Sequence, residues 1–346
     1  MLVHDPYYDL KAVSNSALRH INPEQGGSPE EFKKYWDGTL PSLRTSSLEF
    51  GNLVHLAVLE PHLLNYVVDE TNCPDKIRDI VKEVFNNVKP ESNPFDLDSE
   101  VIKDFPSYYP AIMSACDKYS YGKTWKEETR LNKVLEQGGS YFNMLATAQK
   151  EDAFVITAAQ EERLNKVLAG INRDEYGQSM MYMVSEEYDP ETDSETGVEY
   201  LNEQEVTWTD ERYSFPLKGK IDRMRIDHVN REFTIIDLKT TGKSLAEFKN
   251  SFEQYHYARQ MAAYEIAGSK FCSEKFGMAY KPSHRHIILA VETKGSFRAG
   301  RFIIKRRTIE AGQKEYNSLL DRLQYHFESG NWVTDYEYAK HGAYYL

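Results

Sequence analysis

A mixed β-sheet flanked by helices, an α/β fold with a mostly helical stretch inserted ahead of its main strands, is the architecture this sequence predicts. Three observations carry it. Runs rich in β-branched and aromatic residues crowd the chain between Glu205 and Lys305. A helical pattern beginning at Leu245 separates the third of these runs from the fourth, as expected when helices pack on a sheet. Residues 62–200 are mostly helical in pattern instead.

Each element has a local reason. Ser14 or Ser16 can cap a short helix through Ile21, which Pro23 and Gly26-Gly27 end. Ser46-Ser47 precede a second helix running to Leu59, stopped by Glu60-Pro61. Within 62–200, apolar spacing predicts helices over Ile77–Val88 and Ile156–Ile171, with breaks at Pro90–Pro94 and Gly138-Gly139 and an acidic loop at Asp189–Thr196. Strands follow at Glu205–Trp208, Phe215–Ile226, Phe233–Leu238 and His286–Val291, with another at Arg301–Lys305 after a Gly295/Gly300 turn. The helix from Leu245 reaches about Ala267. A last one, Ile309–Phe327, carries Leu319, Leu320 and Leu323 on one stripe and ends at Gly330. The expected organisation is one domain over 1–346, in which 62–200 is an acidic insertion, 201–308 the sheet with its helix, and 309–346 a closing helix and tail.

Composition limits the function classes. With 40% apolar and 28% charged residues over 346 positions, the chain can bury a sizeable core and still be soluble. No apolar run approaches the ~20 residues of a membrane helix, and Met1-Leu-Val-His-Asp5-Pro6 does not resemble a signal peptide. Cys73, Cys116 and Cys272 are too few and too scattered for a disulfide framework. A cytoplasmic protein is expected. The net charge of −12 is unevenly spread: residues 1–211 hold 19 Lys and Arg against 39 Asp and Glu, whereas 212–346 hold 23 against 15. Lys218, Lys220, Arg223 and Arg225, then Lys305-Arg306-Arg307, give the C-terminal part the local positive potential that phosphate binding needs. An acidic insert beside an ordinary domain would give the same sums.

The chemistry centres on Asp222 and Asp237, fifteen positions apart. Each sits in a strand-like run, and Asp227-His-Val-Asn230-Arg231 lies between. A turn centred between Val229 and Asn230 sets the two carboxylates opposite each other, where like charges repel across ~5 Å. A hard divalent cation would relieve that repulsion. Lys239 lies two residues past Asp237, so strand alternation puts its ammonium on the same face. Two acids and a lysine converging on a metal can hydrolyse a phosphodiester; a solvated hairpin with unremarkable acids is the plainer alternative. His55 lies on an apolar helix with Gly51 one turn earlier, which implies a close approach there. Glu205 opens the preceding strand, with Glu203, Glu186 and Glu187 as competitors. Gln260 and Tyr264 share a helix face with Tyr257. Thr240, Thr241, Ser14 and Ser16 can donate to a phosphate, although capping alone would explain the serines.

This pattern resembles the PD-(D/E)xK nucleases. Gly51-x-x-x-His55 ahead of the sheet and Gln260-x-x-x-Tyr264 after it are similar to the RecB-like branch. The opening run resembles the exonuclease domain of RecE (exonuclease VIII) and its phage relatives: Tyr7-Tyr8, Val13-Ser14-Asn-Ser16-Ala-Leu18, Glu31-Phe32, Phe50-Gly51 to His55 and Leu59-Glu60-Pro61. The resemblance implies a restriction-endonuclease-like core. Asp222, Asp237, His55 and the Leu238 backbone carbonyl would hold Mg²⁺, with Mn²⁺ able to substitute. Lys239 would act on the attacking water and the transition-state charge, and Glu205 would stand near the metal. Gln260, Tyr264, Thr240, Thr241, Ser14, Ser16, Lys220 and Arg223 would meet DNA. It further implies an exonuclease that degrades linear double-stranded DNA from its 5′ end, leaving a 3′ single strand for an annealing recombinase, and that works as a homo-oligomeric ring. Gly122-Lys-Thr124 and Gly242-Lys-Ser244 imitate the end of a phosphate-binding loop but lack its first glycine, so no ATP-driven motor is expected. An endonuclease, a single-strand nuclease and a non-catalytic DNA-binding scaffold are the alternatives.

Overall fold

The computed structural model describes residues 6–40, 46–88, 108–173 and 197–343. The acidic loop at Asp189–Thr196, the break at Pro90–Pro94, and both Glu186 and Glu187 lie outside the described residues. The chain forms two compact units, one spanning Leu64–Glu162 and the other comprising Asp5–Leu63 and Arg163–Leu346.

The larger unit opens with helices α1 (Pro29–Trp36) and α2 (Ser46–Leu59). Ser28 caps α1 by accepting from the Glu31 amide at 3.1 Å. The smaller unit holds β1 (Tyr66–Asp69), α3 (Asp75–Val88), α4 (Tyr108–Lys118), α5 (Glu127–Lys150) and β2 (Phe154–Thr157). Its two strands pair in parallel, Tyr66 opposite Phe154, and Ile77, Ile80, Val81, Leu131 and Val134 build a core of its own. Two expectations are corrected here. The chain runs through Gly138-Gly139 without leaving α5, with Gly138 buried in its packed face. Ile156 belongs to β2, and the helix α6 (Ala158–Arg173) starts after it.

The larger unit continues with β3 (Val198–Trp208), β4 (Leu217–Asp227), β5 (Glu232–Thr241), α7 (Phe248–Gln254) and α8 (Tyr257–Phe276). It closes with β6 (Lys281–Pro282), β7 (His286–Glu292), β8 (Ala299–Ile304), α9 (Arg306–Ser329) and α10 (Tyr336–His341). Strand order is β3-β4-β5-β7-β8, with β6 short and beside β5. Every neighbouring pair is antiparallel except β5 with β7 and β6, so the sheet is mixed, as the sequence predicts. Phe233 to Leu238 are all buried, which is what a central strand covered on both faces requires.

The expected helix from Leu245 to Ala267 is in fact broken. A 3₁₀ turn at Leu245–Glu247 leads into α7, and α8 starts afresh after His256. Helix α8 packs on β3, β4 and β5 on one side and on α9 on the other. Gly268 allows the first contact, since a Cβ there would fall 2.7 Å from the Phe233 ring. Among the described residues, no helix is long and apolar enough to cross a membrane.

Candidate active site

The β4–β5 hairpin pairs Arg223 with Ile236, Met224 with Ile235 and Asp227 with Glu232. One further step in that register sets Asp222 opposite Asp237, the alignment expected from the turn between them. On the other side of β4, the pairs Asn202–Arg223 and Gln204–Ile221 bracket Glu203 and set it opposite Asp222. Three acids on three adjacent strands therefore form a row. Glu203 adopts φ of 50°, a left-handed conformation that costs a non-glycine residue roughly 1–2 kcal/mol.

Helix α2 brings His55 to this row. Its Nδ1 lies 3.8 Å from an Asp222 carboxylate oxygen, and ligand atoms of His55, Glu203 and Asp222 all fall within 4.8 Å of one another. Gly51 permits the approach, because a Cβ there would lie 3.1 Å from Thr240 Oγ1. Asn202 fixes the far end of α2 by donating to the Leu59 carbonyl at 2.8 Å. The Leu238 amide donates to Asp222 at 2.8 Å. Asp237 turns to Lys239, whose ammonium lies 2.7 and 2.6 Å from its two oxygens. The other side of that ammonium faces the Tyr257 ring, 5.2 Å from its centroid.

Burial sets the protonation states. Asp237 is fully buried, and desolvation, which the Lys239 charge only partly offsets, raises its pKa to about 6. Desolvation and then the charge of Asp222 push Glu203 up to about 8. Asp222 is raised for the same first reason, with Lys239 and the Leu238 amide pulling it back. His55 is lowered to about 4 by burial and by Lys239. Burial would depress Lys239, but Asp237 and Asp222 outweigh it and hold the ammonium above its usual range. A neutral imidazole beside three carboxyls that resist ionisation is a donor set suited to a divalent cation. One positive ion could be shared by His55, Glu203 and Asp222, whereas both oxygens of Asp237 are engaged by Lys239.

The other sequence candidates divide. Glu205 pairs with Lys220 at 3.3 Å and leaves 46% of its side chain exposed; Glu203 is the acid at the cluster. Lys220 also lies 3.5 Å from Glu203, so it rims the site. Arg223 is completely buried, bonded to Asn202 and stacked on Tyr200. The alternation that aims Asp222 at the site turns Arg223 to the opposite face of the sheet, where it is buried against Asn202 and Tyr200, which corrects the expectation that it meets DNA. Thr241 is buried, and its hydroxyl accepts from the Lys243 amide at 3.1 Å, a turn role instead of a phosphate contact. Ser14 accepts from the Ala17 amide at 3.2 Å and lies 2.8 Å from the Ser16 hydroxyl, so Ser14 caps while Ser16 stays exposed. Gln260 donates to the Tyr264 hydroxyl at 2.9 Å. Burial, then the charges of Asp222 and Asp237, raise the Tyr264 pKa well above normal.

Comparison with known proteins gives three findings. No curated protein matches the sequence. A crystal structure of a provisionally named exonuclease from Eubacterium rectale is similar to it at 10% identity, over 94% of this chain and 85% of that one, with a TM-score of 0.47. A family model described as a PDDEXK-like domain of unknown function (DUF3799) matches residues 113–340, a span that holds Glu203, Asp222, Asp237, Lys239, Gln260 and Tyr264 but not His55. The chain belongs to that PDDEXK-like family, and with it to the PD-(D/E)xK nuclease superfamily.

Proposed function

We propose that this nuclease-family protein is a Mg²⁺-dependent, ATP-independent DNA exonuclease acting on linear duplex ends. It removes one strand from the 5′ end and leaves a 3′ single strand for a single-strand annealing recombinase. The observation that carries the hydrolytic part is the convergence of Asp222, Asp237 and Lys239 on one face of the sheet, with His55 and Glu203 completing the cluster. Preference for ends, polarity and the recombination role rest on the N-terminal resemblance to RecE-type nucleases. So do the closed ring of identical subunits and the cytoplasmic setting in a bacterial or phage-infected cell.

His55, Glu203 and Asp222 would hold the cation, with Asp237 and the Leu238 carbonyl beside them. When bound, Mg²⁺ or Mn²⁺ supplies Lewis acidity toward a phosphate oxygen. Glu203, whose pKa burial and the Asp222 charge push up to about 8, would have to lose its carboxyl proton to serve as a ligand. Lys239 remains an ammonium, so it acts as a fixed charge against the negative charge that develops on the phosphate, and a base role does not suit it. The Tyr257 ring keeps water from its other side. Gln260 and Tyr264, bonded to each other, present a polar edge to the strand being cut.

Linear duplexes labelled at the 5′ or the 3′ end, incubated with Mg²⁺ beside a covalently closed circle, test this reading. Early release of the 5′ label with an intact circle is expected. Nicking of the circle would make the protein an endonuclease, and no cutting in Mg²⁺ or Mn²⁺ would make it a binding scaffold. Light scattering coupled to size exclusion tests the ring; a strict monomer that digests long duplexes processively would contradict it.

A further inference from the structure

The break between α7 and α8 separates two tyrosines that do opposite things. Tyr257 turns inward, with its ring against the Lys239 ammonium and packed between Phe248 and Phe252 at 6.0 and 6.1 Å. Tyr255, two residues earlier, is 54% exposed, and its ring lies 5.8 Å from that of Tyr257 at 34°. The residue between them is strained. His256 sits at φ 54°, ψ 44°, a left-handed conformation in which a side chain other than glycine costs of order 1–3 kcal/mol. The conformation is fixed from two sides. The His256 amide donates to the Glu253 carbonyl at 3.1 Å, and its Nδ1 lies 2.8 Å from Glu315 on α9. Glu315 is in turn held by the buried Arg259 at 2.9 Å. The fold thus maintains a costly turn whose effect is to project one aromatic ring into solvent, one ring away from the active-site lysine.

We propose that Tyr255 is a stacking platform for an unpaired base next to the scissile phosphate. This rests on the nuclease reading above and adds a preference to it: the strand being cut is engaged with its neighbouring base unstacked from the duplex. An exposed phenol ring backed by a second aromatic is rigid and has a free face, and any base can stack on it. A platform so close to Lys239 holds the nucleotide while the cluster acts on its phosphate. Tyr255 is therefore a positioning residue, distinct from the groups that touch the phosphate.

Two measurements decide it. In the first, Tyr255→Ala, Tyr255→Phe and Tyr255→Trp are compared in steady-state cleavage of an end-labelled duplex with a short overhang. Tyr255→Ala should raise KM about tenfold, with a much smaller fall in kcat, and Phe and Trp should restore it. In the second, the extra emission of Tyr255→Trp over wild type is followed as phosphorothioate DNA is added without metal. An overhang duplex should quench it, and a closed dumbbell with no unpaired end should not. If the enzyme cuts DNA but Tyr255→Ala keeps its KM, or if neither DNA quenches Trp at this position, the platform is wrong and the nuclease reading survives. Equal quenching by both DNAs would overturn the preference for an unpaired base. A wild-type protein that neither cuts nor binds DNA would overturn both readings.

Discussion

Two buried polar clusters lie on the larger unit, built from the same residue types and opposite in character. In one, Glu265 accepts from both sides. His286 Nε2 lies 2.9 Å away, and Arg306 reaches its two oxygens at 2.8 and 2.7 Å. The remaining His286 nitrogen accepts from the Ile235 amide at 3.0 Å. Burial alone would raise the Glu265 pKa, but these bonds outweigh it and hold it below the usual value. In the other cluster, three carboxyls, Glu203, Asp222 and Asp237, share the ammonium groups of Lys239 and Lys220, and all three are raised. The first cluster is complete and ties β5, β7, α8 and α9 together. The second lacks positive charge, which marks it as a site for a ligand and not as a fastening.

The largest expected effect follows from that contrast. Asp222→Asn or Asp237→Asn should abolish cleavage while the metal-free protein melts at the same temperature or higher, because a repelling charge has been removed. Cleavage assays beside thermal melts check this, and wild-type cutting by either variant would take that aspartate out of the mechanism. Lys239→Ala comes next. It removes the fixed cation but leaves the ligands, so turnover should fall by at least ~10²-fold while calorimetry still detects metal binding. Loss of binding would mean that Lys239 organises the ligands instead.

Glu265→Gln is the counterpart in the complete cluster. With Arg306 partly exposed, the loss should be about 2 kcal/mol of stability, read by denaturant unfolding, with cleavage changed only a few-fold. A variant that loses activity at full stability would break the distinction between the clusters. The smallest effect is the dependence on pH. Carboxyls of the unfolded chain titrate near pH 4, while Glu203 and Asp237 hold protons up to about 8 and 6. Between those limits the folded state binds more protons, so metal-free stability should fall as pH rises. Glu265 has the opposite sign: its contribution is present at neutral pH and is lost as pH falls through its lowered pKa. Melts of wild type and Glu203→Gln in chelator, from about pH 5 to 8, should show a steeper decline in wild type; equal slopes would contradict the raised Glu203.

The row of acids was only partly legible in the sequence. Asp222, Asp237 and Lys239 could be aligned because the period of a strand is two and the turn is symmetric about its centre. That same period puts Glu203 and Glu205 on one face and cannot choose between them. The β3–β4 register chooses, by setting Glu205 opposite Lys220 and Glu203 opposite Asp222. Arg223 was legible and misread: a residue adjacent to Asp222 in a strand must point the other way. The helix break at His256 carries no glycine or proline to announce it, because its stability comes from Glu315, some sixty positions later in the chain. The parallel pair β1–β2 joins segments of four residues each across most of the smaller unit, too short for a periodic signal.

Direct metal binding is the sharpest test of the contrast between the clusters. Calorimetric titration with Mn²⁺ at neutral pH, on wild type, Asp222→Asn and Glu265→Gln, compares the two sites in one experiment. Binding by wild type and Glu265→Gln, accompanied by proton release and lost in Asp222→Asn, is the predicted result. Binding that persists unchanged in Asp222→Asn, or none in wild type, would contradict a cation site at His55, Glu203 and Asp222.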